Sequence, residues 1–302
     1  MQGAQSPPAP VLVGDDRDPH LQAVAQLVRE KTRYEPQLLA TSHRQSWRVT
    51  DLGASPGIRG FIRGLPLQAT TASEAEGSAW RDLSEGLAYD RRISWLTPLD
   101  RLRRADNKLF QYQVATEANV TVPRTIVARR VSDITNYVGD PFVLKPLGAG
   151  VVHRTGETPK VFYTTPVSSS EIRDDELETT PAIAQQLLTA QRHLRVVTVG
   201  QRCWAFSLDA DGLPTDWREA TPRERSPWET HVPTAELAEK ALDLARRFGV
   251  GFSSQDWIVQ ANRCWFIDLN PCGAWLFGPA ESSSQVTAAI ADWLMRRSQP
   301  SS

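Results

Sequence analysis

The sequence predicts an α/β fold that is divided into more than one lobe. The chain has 302 residues, and single hydrophobic cores usually stop growing at roughly 250 to 300 residues. Hydrophobic residues make up 40% of the chain and charged residues 23%, proportions that are typical of a folded globular protein. Strand-like and helix-like segments alternate over about the first hundred residues, and this alternation predicts an open α/β lobe at the amino terminus.

Hydrophobic periodicity predicts the elements of the amino-terminal part. VLVG at 11–14 is a short apolar run, and Leu21, Val24, Leu27 and Val28 recur on one face of the helix that is expected after it. In order, we expect a strand at 11–14, a helix at 18–31, a strand at 58–62, helices near 74–88 and 106–118, and a strand at 124–128.

Strands dominate the rest of the chain. Segments 194–200 and 202–210 are joined at a Gly-Gln pair, so a β-hairpin is expected there. A helix is predicted at 234–248, because Gly249 follows it at the position of a C-cap. The remaining predictions are strands at 142–146, 160–165, 182–188, 255–260 and 264–269, a mobile linker at 165–181 and a closing helix near 283–297.

Charge and composition exclude several classes of protein. A net charge of -1 and a pI near 6.5 leave no basic surface of the kind that binds nucleic acid. No stretch reaches the ~18 apolar residues of a membrane span, and the first residues lack the features of a secretory signal. The 3 cysteines form no C-x-x-C pair, and the 5 histidines show no zinc spacing. We therefore expect a cytoplasmic protein that binds neither nucleic acid nor membranes, and a homodimer stays open.

An apolar strand near the carboxyl terminus ends in two oxygen-bearing side chains. In WFIDLNPCGAWLF (265–277), Asp268 and Asn270 are two residues apart and therefore lie on the same face of the strand. Hard cations such as Mg²⁺ prefer oxygen ligands of this kind, so the pair is a candidate metal site. An Asx-turn before Pro271 explains the same residues without a metal, and both interpretations stay open at this point.

Three more charged residues lie in otherwise apolar strands. Lys145, in FVLKPLGAG, precedes a glycine loop that lets backbone N–H groups approach phosphate oxygens. The alternative for Lys145 is an ammonium that reaches solvent at the strand end. Arg195 begins LRVVTVG, where a guanidinium suits bidentate binding of phosphate or carboxylate. Asp256 begins DWIV, the strand expected to pair with the strand of Asp268, so that the two aspartates and Asn270 can meet.

Two further candidates rest on weaker patterns. Lys108 opens a predicted helix and can reach a phosphate, although most helical lysines are solvated. The segment TDWREATPRER (215–225) combines Trp217 with Arg218 and Arg223. Arginine suits carboxylates and tryptophan suits hydrophobic anchoring, so this segment is a candidate for holding an acidic peptide. A solvated loop whose arginines pair with nearby glutamates is the alternative.

The order of these elements resembles that of the ATP-grasp superfamily, in which an α/β lobe precedes two lobes that clamp ATP between antiparallel sheets. NKLFQYQVATEANVTVPRT resembles the family's helix-to-strand transition, FVLKPLGAG its phosphate lysine and glycine loop, and AIAQQLL its adenine hinge. LRVVTVG resembles the arginine-bearing strand, and DWIV and FIDLNP resemble the magnesium strands. The resemblance implies an amino-terminal lobe at 1–105, a central lobe at 106–190 and a carboxyl-terminal lobe at 191–302.

A narrower likeness extends over nearly the whole chain. GDDRDPHLQAV, DGLPTDWRE and LNPCGAWLF resemble the microviridin and wider graspetide ligases. Those enzymes activate Asp or Glu side chains of a ribosomal precursor peptide and close ω-ester or ω-amide rings. The resemblance implies ATP and Mg²⁺ as cofactors and a precursor peptide with an acidic core as partner. Related ligases bind the leader segment of the precursor near the hairpin that corresponds to the segment 215–225.

The resemblance also implies a role for each residue that matches the family motifs. The residues implied are Lys108, Lys145 and Arg195 for the phosphates, with Lys145 and Arg195 catalytic; Gln185, Gln186, Leu187 and Leu188 for the adenine; and Asp256, Asp268 and Asn270 for Mg²⁺. Two departures bear on the site. Asp268 stands where most relatives have glutamate, which shortens its reach toward a second metal ion. Cys272 and Ala274 replace polar residues in the turn, which bears on the choice of substrate.

Two other functions fit the same residues. A ligase that joins small carboxylates and amines shares the ATP site and differs only in its acceptor pocket. A non-catalytic ATP-binding scaffold keeps adenine binding after the loss of its metal ligands, and this chain retains those ligands apart from the change at Asp268. For either ligase, closure of the glycine loop at 148–156 is expected to protect an acyl phosphate from water.

Overall fold

A computed structural model describes residues 9–32, 35–39, 58–64, 82–83, 85–86, 88–90, 92–147, 151–152, 160–161, 164–179, 182–220 and 227–296. Arg223, both glycines of the predicted phosphate loop and most of the helix expected near 74–88 lie outside these residues.

The amino-terminal part is a parallel sheet packed against one long helix. Its elements are β1 (Val11–Val13), α1 (Pro19–Thr32), β2 (Gln37–Leu39), β3 (Ile58–Ile62), β4 (Ile93–Trp95) and α2 (Leu99–Ala105). The strand order is β2–β1–β3–β4, and all three pairings are parallel. Helix α1 buries Leu21, Val24 and Val28, which confirms the predicted face. The sequence did not predict β2 or β4, because three residues are too few to show a strand period.

The middle of the chain forms an antiparallel sheet flanked by short helices. Its elements are α3 (Lys108–Glu117), β5 (Thr125–Val127), α4 (Val131–Val138), β6 (Phe142–Pro146), β7 (Val151–Val152), β8 (Lys160–Val161), β9 (Thr165–Val167), α5 (Asp174–Thr179) and β10 (Ala182–Gln186). The strand order is β5–β10–β6–β9, and β7 pairs with β8 in a separate ribbon. Helix α3 begins at Lys108 as predicted, because the Asn107 side chain accepts a hydrogen bond from the Phe110 N–H. Strand β10 ends two residues earlier than predicted.

The prediction of a mobile linker at 165–181 is wrong over the described part of that segment. It contains β9, a 3₁₀ turn and α5. Ser168 and Glu171 form a capping box around the 3₁₀ turn. Asp174 accepts a hydrogen bond of 2.7 Å from the first N–H of α4, and Leu177 is buried. The polar side chains of this segment therefore satisfy backbone groups, including those of a helix that is distant in sequence, and composition alone does not reveal this.

The carboxyl-terminal part is a five-stranded antiparallel sheet with two long helices. Its elements are β11 (Arg192–Val199), β12 (Arg202–Asp209), β13 (Glu229–His231), α6 (Ala235–Phe248), β14 (Phe252–Gln260), β15 (Arg263–Asn270) and α7 (Ala280–Met295). The strand order is β13–β12–β11–β14–β15. The predicted hairpin of β11 and β12 is confirmed, as is the C-cap of α6, where Gly249 has the left-handed φ of 69°.

Helices and aromatic side chains connect these parts. Helix α7 packs on α1 and β3 of the amino-terminal part, and α3 packs on β15 and α6. Phe61 of β3 and Phe252 of β14 pack edge to face, with ring centroids 5.8 Å apart. The lobe boundaries at 105/106 and 190/191 stay predictions. Among the described residues, no helix combines the length and the apolar character that crossing a membrane requires.

Candidate functional site

A cavity of about 630 Å³ lies where the central sheet faces the carboxyl-terminal sheet. All but one of the residues predicted from the sequence line this cavity. They are Lys108, Lys145, Gln185, Gln186, Leu187, Leu188, Arg195, Trp217, Arg218, Asp256, Asp268 and Asn270. The exception is Arg223, which lies outside the described residues. The fold therefore brings together residues that are up to 162 positions apart in sequence, from Lys108 to Asn270.

Lys145 is held in the wall of the cavity by other polar side chains. It is only 8% exposed, so its ammonium does not reach solvent at the strand end. Its Nζ donates to Gln185 Oε1 at 2.7 Å and to the Tyr112 hydroxyl at 3.5 Å. Gln185 in turn donates to the Thr125 hydroxyl at 2.8 Å. Both of these partners are neutral, so neither offsets the attraction of the lysine for an anion that enters the cavity.

Arg195 and Asp256 form a pair across two neighbouring strands. They are directly opposite each other in the register of β11 and β14, and Arg195 Nε lies 3.0 Å from Asp256 Oδ1. Arg195 also donates through its terminal nitrogen to the Ser254 hydroxyl at 2.9 Å, and it lies over the ring of Phe277. These contacts fix the guanidinium plane at the cavity wall, as bidentate recognition of an anion requires.

Asp256 and Asp268 are brought side by side by strand pairing. They are directly opposite each other in the register of β14 and β15, and Asn270 follows two residues later on the same cavity wall. Burial raises the pKa of Asp256 and the charge of Asp268 adds to this effect, while Arg195 opposes it. A cation between the two carboxylates relieves this repulsion, so the donor set fits Mg²⁺.

Two observations show that the protein alone supplies only some of the ligands that a cation needs. In the described part of the chain, no three His, Cys, Asp or Glu side chains come together as a ready metal site. The Asn270 side chain also makes the Asx-turn that was the alternative interpretation, because its Oδ1 accepts a hydrogen bond of 2.8 Å from the Cys272 N–H. That oxygen keeps a second lone pair. Two carboxylates and one amide leave positions for phosphate oxygens and water, as is usual for Mg²⁺.

Arg218 pairs with an aspartate that the sequence analysis did not single out. Its guanidinium donates to both carboxylate oxygens of Asp216, at 2.8 and 2.5 Å. Asp216 is buried, which opposes its ionisation, but hydrogen bonds from Arg218 and from the Thr164 N–H hold its pKa below the usual value. The pKa of Arg218 is raised by Asp216 and further by Asp256 and Asp268. The charges of the two candidate metal carboxylates therefore act on the arginine together with that of Asp216, and Glu224 of the solvated-loop alternative lies outside the described residues.

Trp217 is only partly available to a ligand. Its ring packs edge to face on Trp228, with centroids 5.2 Å apart, and against Phe277 at 6.0 Å. The same side chain contributes to the cavity wall. The aromatic cluster thus positions the loop that carries Arg218 as well as offering one apolar surface.

Sequence reasoning missed several side chains that line the cavity. Burial lowers the pKa of His193 to about 4, against the opposing charge of Asp216, so this imidazole is neutral at neutral pH. Burial raises the pKa of Asp106, as does Asp268, while Lys108 lowers it. A signal was present for His193, which lies two residues before Arg195 on the same strand face, and the spacing of Asp106 carried none.

The amino-terminal part holds the turn that follows β15. His20 Nε2 accepts hydrogen bonds from the N–H groups of Trp275 and Leu276, at 3.1 and 3.2 Å. Its Nδ1 therefore carries the proton and donates to Asp18 at 3.0 Å. Arg63 donates to the carbonyl oxygen of Cys272 in the same turn. Through His20 and Asp18, the GDDRDPH segment thus helps to fix the position of the residues that follow Asn270.

Known structures share this architecture over nearly the full length of the chain. The macrocyclase MdnC bound with precursor peptide MdnA, from Microcystis aeruginosa MRC, is 19% identical and matches 94% of this chain and 98% of its own, with a TM-score of 0.75. A Chryseobacterium gregarium RiPP-associated ATP-grasp ligase in complex with ADP and a leader and core peptide is 17% identical, with coverages of 95% and 96% and a TM-score of 0.75. The chain has the ATP-grasp fold.

A third ATP-grasp structure agrees. The ligase PsnB, complexed with a phosphomimetic variant of its minimal precursor, Mg and ADP, is 18% identical, with coverages of 94% and 97% and a TM-score of 0.72. No family model and no curated protein matches the sequence. The predicted fold class is confirmed, since a parallel α/β lobe precedes antiparallel sheets in the ATP-grasp arrangement.

The ATP-grasp cavity depends on a glycine in the turn after β15. A Cβ atom at Gly273 would collide with the Cβ of Ser254, whose hydroxyl accepts from Arg195 and donates to the Ala274 carbonyl at 3.0 Å. Gly273→Ala is therefore expected to displace Ser254 and to destabilise the protein by about 1 to 3 kcal/mol, measured by urea unfolding. Gly64→Ala is the matched control, because a Cβ there meets no atom of the described residues within 4 Å. Equal midpoints for the two variants would contradict the prediction.

Proposed function

We propose that this protein is an ATP-dependent carboxylate ligase that modifies a ribosomal precursor peptide. It phosphorylates Asp or Glu side chains of the peptide and closes ω-ester or ω-amide rings. The observation that carries the proposal is the meeting of Lys145, Arg195, Asp256 and Asp268 in one cavity of an ATP-grasp fold. Support for a peptide as substrate comes from the full-length likeness to ligases that were crystallised with precursor peptides.

The charges of the cavity suit the approach of two anions. A phosphoryl group and a carboxylate repel each other, and two unit charges ~4 Å apart interact by about 4 kcal/mol at an effective dielectric near 20. We assign Lys108, Lys145 and Arg195 to the phosphates, where their charges offset this repulsion. Asp256, Asp268 and Asn270 would hold Mg²⁺, which when bound adds positive charge beside the phosphates.

The adenine is assigned to the end of β10. Gln185, Gln186, Leu187 and Leu188 line the cavity, as does His193 of β11. Leu187 and Leu188 follow the last residue of β10, so their backbone groups are not committed to that strand. Free backbone groups beside apolar side chains suit a planar base that both stacks and forms hydrogen bonds.

The chemistry balances without a protein nucleophile. A carboxylate oxygen of the substrate attacks the γ-phosphorus of ATP, and ADP leaves with the electron pair of the broken P–O bond. A hydroxyl or amine of the peptide then attacks the acyl carbon, loses its proton and expels phosphate. Each ring therefore consumes one ATP and removes one water from the peptide. The residues of this chain bind, orient and neutralise charge in both steps.

Arg218 is assigned to the carboxylate that is activated. It lies in the same cavity as the metal ligands, and Asp216 holds its guanidinium in a fixed orientation. An acidic core in the precursor peptide would supply the matching charge. The proposal includes a cytoplasmic location, where ATP is available and the three free cysteines stay reduced.

Mass spectrometry of the peptide product tests the proposal. The protein is incubated with ATP, Mg²⁺ and a short acidic precursor encoded beside its own gene. We expect loss of one water per ring and formation of one ADP per ring. Small carboxylates with amines are offered in parallel. ADP formation with the small pair and none with the peptide would favour a small-molecule ligase, and nucleotide binding without turnover on either would favour a scaffold.

The proposed role of Arg218 predicts that its loss changes the KM for peptide and the KM for ATP differently. Arg218→Ala is expected to raise the KM for peptide several-fold and to leave the KM for ATP nearly unchanged, because a carboxylate contact is lost while the phosphate contacts remain. A higher salt concentration should likewise raise the KM of the parent protein for peptide, because salt screens the same charge contact. Arg173→Ala is the control, since Arg173 is an exposed arginine paired with Asp175. An equal rise in both KM values would place Arg218 at the phosphates instead.

A further inference from the structure

The strand that carries Asp268 lies at the edge of its sheet. Among the described strands, in the order β13–β12–β11–β14–β15, β15 pairs with another strand on one side. Backbone N–H and C=O groups on the other side need partners, because such groups are costly when they are buried without them. The Thr121 carbonyl accepts from the Phe266 N–H at 2.9 Å, and next to Asp268 helix α3 supplies partners through two side chains, Gln111 and Tyr112.

A bulge in β15 leaves one residue without a hydrogen-bond partner on β14. Asp256 is opposite Asp268, but the next residue of β14, Trp257, is opposite Phe266, so Ile267 is an extra residue. A bulge leaves the extra residue out of the hydrogen-bond ladder and changes the direction of the side chains that follow. It explains why Phe266 and Leu269 are buried in the same core although they are three residues apart.

Tyr112 supplies the partner of this extra residue. Its hydroxyl donates to the Ile267 carbonyl oxygen at 2.9 Å. The same hydroxyl oxygen lies 3.5 Å from Lys145 Nζ, which donates to it. One buried hydroxyl thus touches both the backbone next to Asp268 and the cation assigned to the phosphates.

Gln111 supplies partners for the residue on the other side of Asp268. Its Oε1 accepts from the Leu269 N–H at 2.9 Å, and its Nε2 donates to the Leu269 carbonyl at 2.8 Å. The carboxamide therefore pairs with both backbone groups of Leu269, as a neighbouring strand would. Gln111 is only 1% exposed, and its second Nε2 hydrogen bond goes to the Ala105 carbonyl at 2.6 Å. Both hydrogens of Nε2 are therefore taken by backbone carbonyls.

We propose that Gln111 and Tyr112 are positioning residues for Asp268, through the backbone on either side of it, and that Tyr112 sets the distance between Asp268 and Lys145. Neither residue is assigned to ATP or to the cation. The inference rests on the proposed function, because it concerns how the assigned cation ligand is held. Partners that orient a metal ligand in this way contribute to metal affinity, and their loss usually costs about 10- to 100-fold.

Binding of ADP at varied Mg²⁺ concentration, followed by calorimetry, tests the proposal. In Tyr112→Phe the ring stays and only the hydroxyl is lost. We expect the Mg²⁺ concentration for half-maximal ADP binding to rise by about tenfold. The affinity for ADP without Mg²⁺ should stay within about twofold, because Lys145 keeps its hydrogen bond to Gln185. Gln111→Met is the second variant. We expect faster hydrogen exchange of the Leu269 amide and the same rise in the Mg²⁺ concentration for half-maximal ADP binding.

Thr116→Val is the matched control on the same helix. Its hydroxyl donates only to the Tyr112 carbonyl within α3, so its loss leaves β15 untouched. A Mg²⁺ shift in Thr116→Val as large as that in Tyr112→Phe would overturn the proposal in favour of general loosening of the helix. An unchanged Mg²⁺ requirement in Tyr112→Phe, with normal binding by the parent protein, would overturn the positioning role alone. A parent protein without Mg²⁺-dependent ADP binding would overturn the proposed function and the positioning role together.

Discussion

Lys145→Met is expected to abolish ATP-dependent product formation while the fold stays intact. The ammonium is buried, and its two hydrogen-bond partners are neutral, so neither partner supplies a positive charge once the ammonium is removed. A charge-assisted hydrogen bond contributes roughly 1.5 to 3 kcal/mol, and each 1.4 kcal/mol corresponds to about tenfold in rate. Turnover should therefore fall by at least about tenfold, measured as ADP formation with peptide present.

The control for Lys145 is another lysine with a partner outside the cavity. Lys240 pairs with Glu236 on the surface of α6, so Lys240→Met removes a charge of the same kind without touching the site. We expect its turnover to match that of the parent protein. Retention of more than about a tenth of the turnover by Lys145→Met, with normal thermal unfolding, would remove Lys145 from the phosphate site.

Asp268→Asn is expected to raise the Mg²⁺ requirement and to lower turnover at limiting Mg²⁺. The substitution keeps the shape of the side chain and removes one of the two anionic donors, and the number of anionic ligands sets cation affinity over several powers of ten. We expect the half-saturating Mg²⁺ concentration to rise by at least about tenfold. The measurement is a Mg²⁺ titration of ADP formation at saturating ATP and peptide.

Two further substitutions sharpen this test. Asp292→Asn removes a surface carboxylate that pairs with Lys31, and its Mg²⁺ titration should match the parent. Asp268→Glu restores the residue that most ATP-grasp ligases of the resembling group carry, and it should retain a low Mg²⁺ requirement. An unchanged titration for Asp268→Asn would leave Asp268 as a structural residue at the end of β15.

The candidate site could be predicted because its main residues are charged and lie beside apolar residues. Lys145, Arg195 and Asp256 each lie next to a short apolar run, FVL, VV and WIV respectively, and burying a charge there costs free energy unless something binds it. Such a combination is visible in a short stretch of sequence. The order of these residues along the chain then matched a known architecture, which gave the fold class as well.

Other residues of the site do not differ in character from their neighbours in the sequence. Asp216 lies in a polar loop, Gln111 and Tyr112 lie in an ordinary amphipathic helix, and His193 is next to an arginine at a strand start. Each becomes a site residue only through a partner that is distant in sequence. The same reason explains the wrong prediction of a linker at 165–181, whose polar residues cap backbone groups.

The sequence by itself determined several of the central strands, the position of the hairpin turn, and which charged residues lie in apolar segments. Those properties follow from periodicity and from residue type, and both act over a few residues. Only the tertiary structure decided that Lys145 is buried, that Asp256 is opposite Asp268, that β15 carries a bulge at Ile267, and that α3 supplies partners on the free side of that strand. Strand register and edge pairing depend on which distant backbone groups find partners, and a linear pattern of residue types does not contain that information.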